Sequence, residues 1–73
     1  MGDPKYDQQA FYKIRVASIL DQDWSAWFGG MEVIAQSNGD TLLAGPIRDQ
    51  AALHGVLAKV RDMGLVLLSV QRL

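Results

Sequence analysis

Hydrophobic and polar residues alternate over residues 11–16, as they do in a β-strand that buries one face. Successive side chains of a strand point to opposite sides of the sheet. The buried side would carry Tyr12, Ile14 and Val16, and the other side would carry two cations, Lys13 and Arg15. The sequence therefore predicts a first strand that begins at residue 11.

Three aromatic residues follow this strand at helical spacing. Trp24, Trp27 and Phe28 occupy positions i, i+3 and i+4, which lie on one face of an α-helix. Asp21 or Asp23 is suited to cap the first amides, and the pair of glycines after Phe28 is suited to stop the helix. We expect a short helix whose aromatic face anchors it on a sheet. The functional alternative is a platform of rings that stacks ligands or bases.

A β-hairpin is predicted next. Alternation over residues 31–35 indicates a second strand, and residues 41–44 indicate a third. Gly45-Pro46 would close the third strand, because proline cannot donate to a strand ladder. Asn38-Gly39 between the two strands is typical of a type I′ turn, in which both central residues have positive φ.

The second helix has the clearest pattern, with Asp49 as a suitable N-cap and Gly64 as a suitable stop. Its apolar stripe at i, i+3, i+4 and i+7 is formed by Leu53, Val56, Leu57 and Val60, and Lys59 and Arg61 are assigned to the solvent side. Gly55 in mid-helix lowers helix stability, and we expect it to admit a strand or another helix at close range. Residues 65–70 then predict an apolar fourth strand.

The predicted order of elements is β-α-β-β-α-β, which is the ferredoxin-like, split β-α-β arrangement. Right-handed crossovers would put both helices on one face of a four-stranded antiparallel sheet with the strand order 4-1-3-2. We therefore expect an α+β fold. A single domain would occupy residues 11–73, and a flexible N-terminal arm would occupy residues 1–10.

Composition narrows the classes of function. The 73 residues carry a formal net charge of −1, which argues against a strongly basic nucleic-acid-binding surface. With no cysteine and one histidine, disulfides, thiolate metal sites and His-rich metal sites within one chain are excluded. No apolar run is long enough to span a membrane, and the N-terminus lacks the apolar core of a signal peptide. We expect a cytoplasmic domain without cofactor or metal that binds neither nucleic acids nor membranes.

Candidate catalytic residues are few. His54 is the only imidazole, and Asp49, five residues upstream, is poorly placed to orient it. Most aspartates are assigned to helix caps and turns, Glu32 is the only glutamate, and no glycine-rich phosphate-binding motif occurs. We therefore expect no enzymatic activity. His54 is interpreted as a histidine at a helix boundary or interface, with a catalytic base as the less favoured alternative.

Chain length and surface pattern favour self-association. A core of fewer than 80 residues rarely supplies more than about 3–5 kcal/mol, so small domains often rely on a partner subunit. The sheet face that no helix covers would carry Ile34, Leu42 and Leu67, an apolar patch of the size that marks interfaces. We expect a homodimer in which two such faces pack together. Edge pairing through the second or fourth strand is the competing geometry, and a monomer with scattered exposed aliphatic residues is the third possibility.

Two segments resemble a family of small uncharacterised bacterial proteins. They are WSAWF at residues 24–28 and GPIRDQAALHGVLAKVRDMGL at residues 45–65. The resemblance extends from Tyr12 to Val70 and implies no activity and no site residue. At the level of the fold, the chain is also similar to ACT-type regulatory modules. The glycine-containing loop of those modules, after their first strand, has no counterpart in residues 20–24.

The sequence thus predicts a non-enzymatic module that self-associates or docks on another protein. The alternative, implied by the similarity to ACT-type modules, is a regulatory sensor that binds an amino acid or a similar metabolite where two subunits meet. An enclosed pocket with converging hydrogen-bond donors would favour the sensor.

Overall fold

β1 (Ala10–Val16) lies inside a four-stranded sheet in which all neighbouring strands are antiparallel. The computed structural model describes residues 8–73. The remaining elements are a 3₁₀ turn (Gln22–Ser25), β2 (Glu32–Ala35), β3 (Thr41–Ile47), α1 (Gln50–Asp62) and β4 (Leu67–Arg72). A four-stranded antiparallel sheet with a helix confirms the predicted α+β class.

The strands lie in the order β2-β3-β1-β4, which reads 4-1-3-2 from the other edge. Because β3 and β4 both pair with β1, α1 connects two parallel strands across the strand between them. The predicted first helix is not confirmed, since the β1–β2 connection contains only the four-residue 3₁₀ turn. Within residues 8–73, α1 is the single α-helix, so the ferredoxin-like arrangement with two helices is not confirmed either.

Residues 21–30 of the β1–β2 connection form tight turns because this segment is short and bounded at both ends. Asp21 begins it with a side chain that accepts a hydrogen bond from the Asp23 amide. Gly29 and Gly30, both at positive φ, end it. A helix must fix several residues before its hydrogen bonds stabilise it, so a segment of this length is a poor helix. It makes i→i+3 hydrogen bonds instead, such as that from the Phe28 amide to the Ser25 carbonyl.

This i→i+3 geometry corrects the predicted aromatic anchor. The 3₁₀ turn ends at Ser25, so Trp24, Trp27 and Phe28 do not belong to one regular α-helical face. Phe28 is fully buried, whereas Trp24 and Trp27 are 40% and 44% exposed. The prediction that both tryptophans face the sheet is therefore wrong, and Phe28 anchors this segment on the core.

The core lies between the sheet, α1 and residues 21–30, which we call the Phe28 segment. Its buried apolar side chains are Tyr12, Ile14, Val16, Leu20, Phe28, Met31, Val33, Leu43, Ile47, Leu53 and Val60. In the predicted stripe of α1, Leu53 and Val60 are buried, and Val56 and Leu57 are partly buried. β4 adds no buried side chain, because all six of its residues are exposed.

The ends of α1 are those that the sequence predicts. The Asp49 carboxylate accepts a hydrogen bond from the Ala52 amide at 2.8 Å, which caps the N-terminus. Gly64, with φ of 71°, follows the C-terminal residue Met63 and reverses the chain. β4 then begins at Leu67, two residues later than predicted.

The β2–β3 turn differs from the predicted type I′. Gly39 has φ of 90°, but Asn38 does not have positive φ. The Gly39 amide donates to the Gln36 carbonyl at 3.1 Å, so a tight turn is followed by a left-handed glycine. This is a common form of hairpin with a loop longer than two residues, and it needs positive φ only at the glycine.

β3 continues through Gly45-Pro46 to Ile47, so the prediction that these residues end the strand is wrong. Pro46 is tolerated because it lies beyond the last β2–β3 pair, Glu32 with Ala44, where no β2 residue needs the missing amide.

The boundary of the predicted N-terminal arm also changes. Residues 1–7 of that arm lie outside the described residues. Ala10, which was assigned to the arm, is the first residue of β1 and pairs with Ile47.

Thr41 ties the start of β3 to the loop that leaves β1. Its side chain is fully buried, and its hydroxyl donates to the Ser18 carbonyl at 2.6 Å. The same oxygen accepts a hydrogen bond from the Leu20 amide at 3.1 Å. An unpaired buried polar group costs about 1–3 kcal/mol, so one hydroxyl satisfies two backbone groups that the sheet does not reach.

We expect Phe28→Ala to lower the free energy of unfolding by about 3–5 kcal/mol, because it removes a fully buried aromatic side chain. Trp27→Ala is the matched control, since it removes a larger ring that is half exposed, and its loss should be less than half as large. Urea unfolding followed by circular dichroism measures both variants. An equal or larger loss in Trp27→Ala would contradict the assignment of Phe28 as the anchor.

Thr41→Val keeps the shape of the side chain but removes the partner of the Ser18 carbonyl and the Leu20 amide. We expect it to lower the free energy of unfolding by about 1–3 kcal/mol. Thr41→Ser keeps the hydroxyl and loses one methyl group, so its loss should be only about 1 kcal/mol. Thermal unfolding of the two variants compares them, and a valine variant as stable as the parent chain would show that the hydroxyl does not hold this loop.

Candidate functional site

Two of the predicted interface residues, Ile34 and Leu42, lie together. They are register partners in β2 and β3, both half-buried, on the sheet face opposite α1. Arg15 is the next residue in this row, and the neighbouring row carries Glu32 and Lys13. This face is therefore a mixture of apolar and charged side chains, with one small apolar pair.

Leu67, the third predicted interface residue, lies on the other side of the sheet. It pairs with Val16, whose buried side chain faces α1. A β-bulge between the pairs of Arg15 and Val16 leaves Leu68 as the extra residue of β4. The structure thus brings Ile34 and Leu42 together and does not bring Leu67 to them.

β4 is the most exposed apolar element of the described chain. It lies at one edge of the sheet, and all six residues are exposed. Leu67, Leu68 and Val70 are between 40% and 47% exposed, and the flanking Val66 and Leu73 are 59% exposed. Residues 66–73 contain no proline, no glycine and a single charge. An exposed edge strand of this kind is a template for pairing with another strand.

One register row crosses all four strands on the side that faces α1. Val33 pairs with Leu43, Leu43 with Ile14, and Ile14 with Val70. The first three side chains are at most 3% exposed, but Val70 is 40% exposed. This core row therefore extends to the β4 edge, where its last side chain, Val70, is only partly covered.

The other edge of the sheet is less open. β2 has only four residues. Just before β2, the Met31 carbonyl accepts a hydrogen bond from the Ser25 hydroxyl at 2.6 Å. The Ser25 side chain thus occupies a backbone acceptor at the start of this edge.

His54 is exposed on α1. It forms no hydrogen bond or ion pair with any residue that the structure describes, so no described carboxylate orients its ring. Among residues 8–73, no group of three or more His, Cys, Asp or Glu side chains is arranged to hold a metal ion.

A cleft of about 310 Å³ lies between α1, the end of β3 and the segment after the 3₁₀ turn. Its walls include the apolar side chains of Phe28, Met31, Ile47 and Val56, and its charged side chains are those of Arg48 and Lys59. Among residues 8–73, no acidic residue lines it. The cleft therefore combines an apolar interior with positive charge.

Gly55 forms part of the cleft wall in the middle of α1. A Cβ atom at Gly55 would meet no heavy atom within 4 Å. The expectation that this glycine admits another element at close range is therefore wrong. Its missing side chain leaves the cleft open instead.

Lys59 is held at the cleft by Trp27. The Lys59 Nζ atom donates to the Trp27 carbonyl oxygen at 2.8 Å and lies 5.2 Å from the centroid of the Trp27 ring. The ring attracts the ammonium group, and the carbonyl fixes its position. The half-exposed tryptophan thus positions a cation at the rim, although its ring is not in the core.

Sequence reasoning assigned Lys59 to the solvent side and did not single out Arg48. A signal for the cleft was nevertheless present. Ala52, Gly55, Val56 and Lys59 are spaced at i, i+3, i+4 and i+7, a stripe that shares Val56 with the apolar stripe of α1 and includes two small residues. Small residues along one helical stripe leave room beside the helix.

Among the described residues, no helix has the length and apolarity needed to cross a membrane.

Comparisons with known proteins place the chain in a family. No curated protein and no solved structure matches the chain. A family model described as a domain of unknown function, DUF8691, matches residues 11–71, which include all four strands and α1 apart from the ends of β1 and β4. The chain therefore belongs to the DUF8691 family.

Proposed function

We propose that the chain is a non-enzymatic self-association module in which two copies pair through the outer edges of their β4 strands. The observation that carries this proposal is the core row, whose last residue, Val70, is half-exposed on an apolar edge strand. Antiparallel pairing of β4 with its copy would join two sheets into one of eight strands. Such a contact is closed by a twofold axis, the commonest symmetry of homo-oligomers.

A second copy of the chain suits this edge because it has the same exposed edge strand. Each chain has a strand whose six residues are all exposed, and each would cover part of the other's strand. The eight-stranded sheet would end on both sides at the four-residue β2, and the Met31 carbonyl just before β2 already accepts a hydrogen bond from the Ser25 hydroxyl. Assembly would therefore stop at two copies, without growth into a filament.

The symmetry fixes where the axis lies. Residues that pair across an antiparallel junction point to the same face, and neighbours in a strand point to opposite faces. The twofold axis must therefore lie where a residue of one copy pairs with the same residue of the other copy. It cannot lie between two neighbouring residues of the strand. Val70 lies in the regular part of β4, after the bulge at Leu68. An axis at Val70 would continue the core row from one copy into the other.

The competing geometry is packing of the two outer sheet faces through Ile34 and Leu42. These residues form only a small apolar pair, and Arg15 borders them in the same row. Burying Arg15 without a partner for its charge would be costly. Edge pairing leaves this face in water, and for that reason we favour it.

A cysteine scan tests the edge pairing directly, because the chain has no cysteine of its own. Residues directly opposite in an antiparallel pair have Cα atoms about 4.5–5.5 Å apart, within the disulfide range of about 4.4–6.8 Å. Single cysteines at Leu68, Ser69, Val70 and Gln71 are oxidised, and the covalent dimer is measured on a non-reducing gel. We expect Val70→Cys to cross-link fastest. Rates no faster than that of the matched control Ile34→Cys would overturn edge pairing.

Charge substitutions test the same contact without a covalent bond. A small interface of this kind is expected to bind weakly, so sedimentation is measured from micromolar concentrations upward. We expect Leu68→Lys to shift the chain to monomer, because with the axis at Val70 each new lysine would lie opposite Arg72 of the second copy, a residue of like charge. Ile34→Lys should leave the dimer intact. The reverse result would favour face packing, and a parent chain that stays at 8.0 kDa throughout would refute self-association.

A second function, binding of a small ligand, is favoured by one specific observation, the cleft between α1 and the Phe28 segment. Its volume lies at the lower end of the range of about 300–1,000 Å³ that is usual for ligand sites. Its polar side chains are few and its walls are largely apolar, as in many such sites. This function would be compatible with self-association, because the cleft and the β4 edge use different residues.

A further inference from the structure

We propose that the cleft beside α1 binds a small aliphatic carboxylate. The carboxylate would contact Lys59, and the alkyl part would lie along Pro46, Ala52 and Val56, over a floor formed by the buried Phe28 and Met31. This inference rests on the ligand-binding function proposed above and is independent of self-association. Three features of the cleft lead to this ligand class: a positioned cation, a wall in which no described residue is acidic, and an apolar interior.

The Lys59 ammonium group is already held in position in the ligand-free protein. An ammonium group has three donors and no acceptor. The Trp27 carbonyl takes one donor at 2.8 Å, and the Trp27 ring lies beneath the charge at 5.2 Å. The side chain is half-buried, so part of its ordering cost is already met in the ligand-free protein. The remaining donors are suited to the two oxygens of a carboxylate.

Arg48, the other cation of the cleft, is less suited to this role. Its guanidinium pairs with the Asp49 carboxylate at 3.3 Å, and its side chain is 83% exposed. Lys59 lies ten residues beyond Asp49, or about 15 Å along the helix axis, so the two cations mark different ends of the cleft. One ligand carboxylate therefore meets Lys59, and a ligand with a single acid group satisfies the site.

The apolar walls select the rest of the ligand. Pro46, Ala52 and Val56, the apolar side chains of the lining that are not fully buried, offer no hydrogen bond, so a polar body would lose its water without compensation. An alkyl chain loses nothing of this kind and gains from burial. Each added methylene should strengthen binding about threefold to fourfold until the cleft is full.

The test uses hexanoate and its neutral isostere hexanamide as probes. Each is titrated into the isotopically labelled full chain, and backbone amide shifts are followed by nuclear magnetic resonance. We expect hexanoate to give saturable shifts at the amides of Gly29, Gly55 and Lys59. We expect hexanamide to bind at least five times more weakly, because a charged hydrogen bond contributes more than a neutral one.

Three variants locate the site. Lys59→Met keeps the length of the side chain without its charge and should weaken hexanoate at least fivefold, to the affinity of hexanamide. Gly55→Met fills the cleft from the middle of α1 and should abolish binding of both probes, without harm to the helix, because methionine favours helices more than glycine does. Arg48→Gln is the control variant, and its affinity for hexanoate should stay within twofold of the parent chain.

The outcomes separate the inference from the function on which it rests. If hexanoate and hexanamide bind equally well and Gly55→Met abolishes both, the cleft is a ligand site but the carboxylate assignment is wrong. If neither probe gives saturable shifts, or if Gly55→Met binds hexanoate as the parent chain does, ligand binding in this cleft is refuted. A larger loss in Arg48→Gln than in Lys59→Met would overturn the placement of the carboxylate.

Discussion

The sheet is wider than the elements that pack on it, and the rest of the structure depends on this difference. A helix with its side chains is about 10–12 Å wide, whereas four strands spaced about 4.8 Å apart need a wider layer. α1 packs against the core residues of β1 and β3, and the Phe28 segment packs beside β2. β4 receives no cover, and its six residues are exposed. The exposed edge and the cleft between α1 and the Phe28 segment both follow from this division of the cover.

The Phe28 segment replaces a helix at low cost because its backbone groups find partners nearby. The Ser25 hydroxyl donates to the Met31 carbonyl, and the Gly30 amide donates to the Ser25 carbonyl at 2.8 Å. Thr41 does the same for the loop that leaves β1. In the described residues, no buried side-chain nitrogen or oxygen lacks a hydrogen bond. Short polar side chains therefore allow an irregular connection to reach the core, where only Phe28 of the three aromatic rings is fully buried.

The strands and α1 were predictable because period and capping act locally. Alternation marked β1, and Asp49 with Gly64 marked the ends of α1. Spacing alone could not predict the 3₁₀ turn, since Trp24, Trp27 and Phe28 fit an α-helix equally well until the length between its caps is considered. The place of Leu67 also depended on non-local pairing, because the bulge at β1 decides which face each β4 residue takes. Lys59 became a candidate only when the structure placed it against Trp27.

The two proposed sites are connected only through the sheet. The cleft includes Ile47 of β3, the edge includes Val70 of β4, and β1 lies between these strands. Ile14 is fully buried and pairs with both Leu43 and Val70, so it is the one residue of its row in contact with both sides. Coupling between ligand and dimer would require two arrangements of packed elements, each favoured by one of the two partners. A fully buried isoleucine in a regular ladder offers one arrangement, and the geometry therefore favours two sites that act independently.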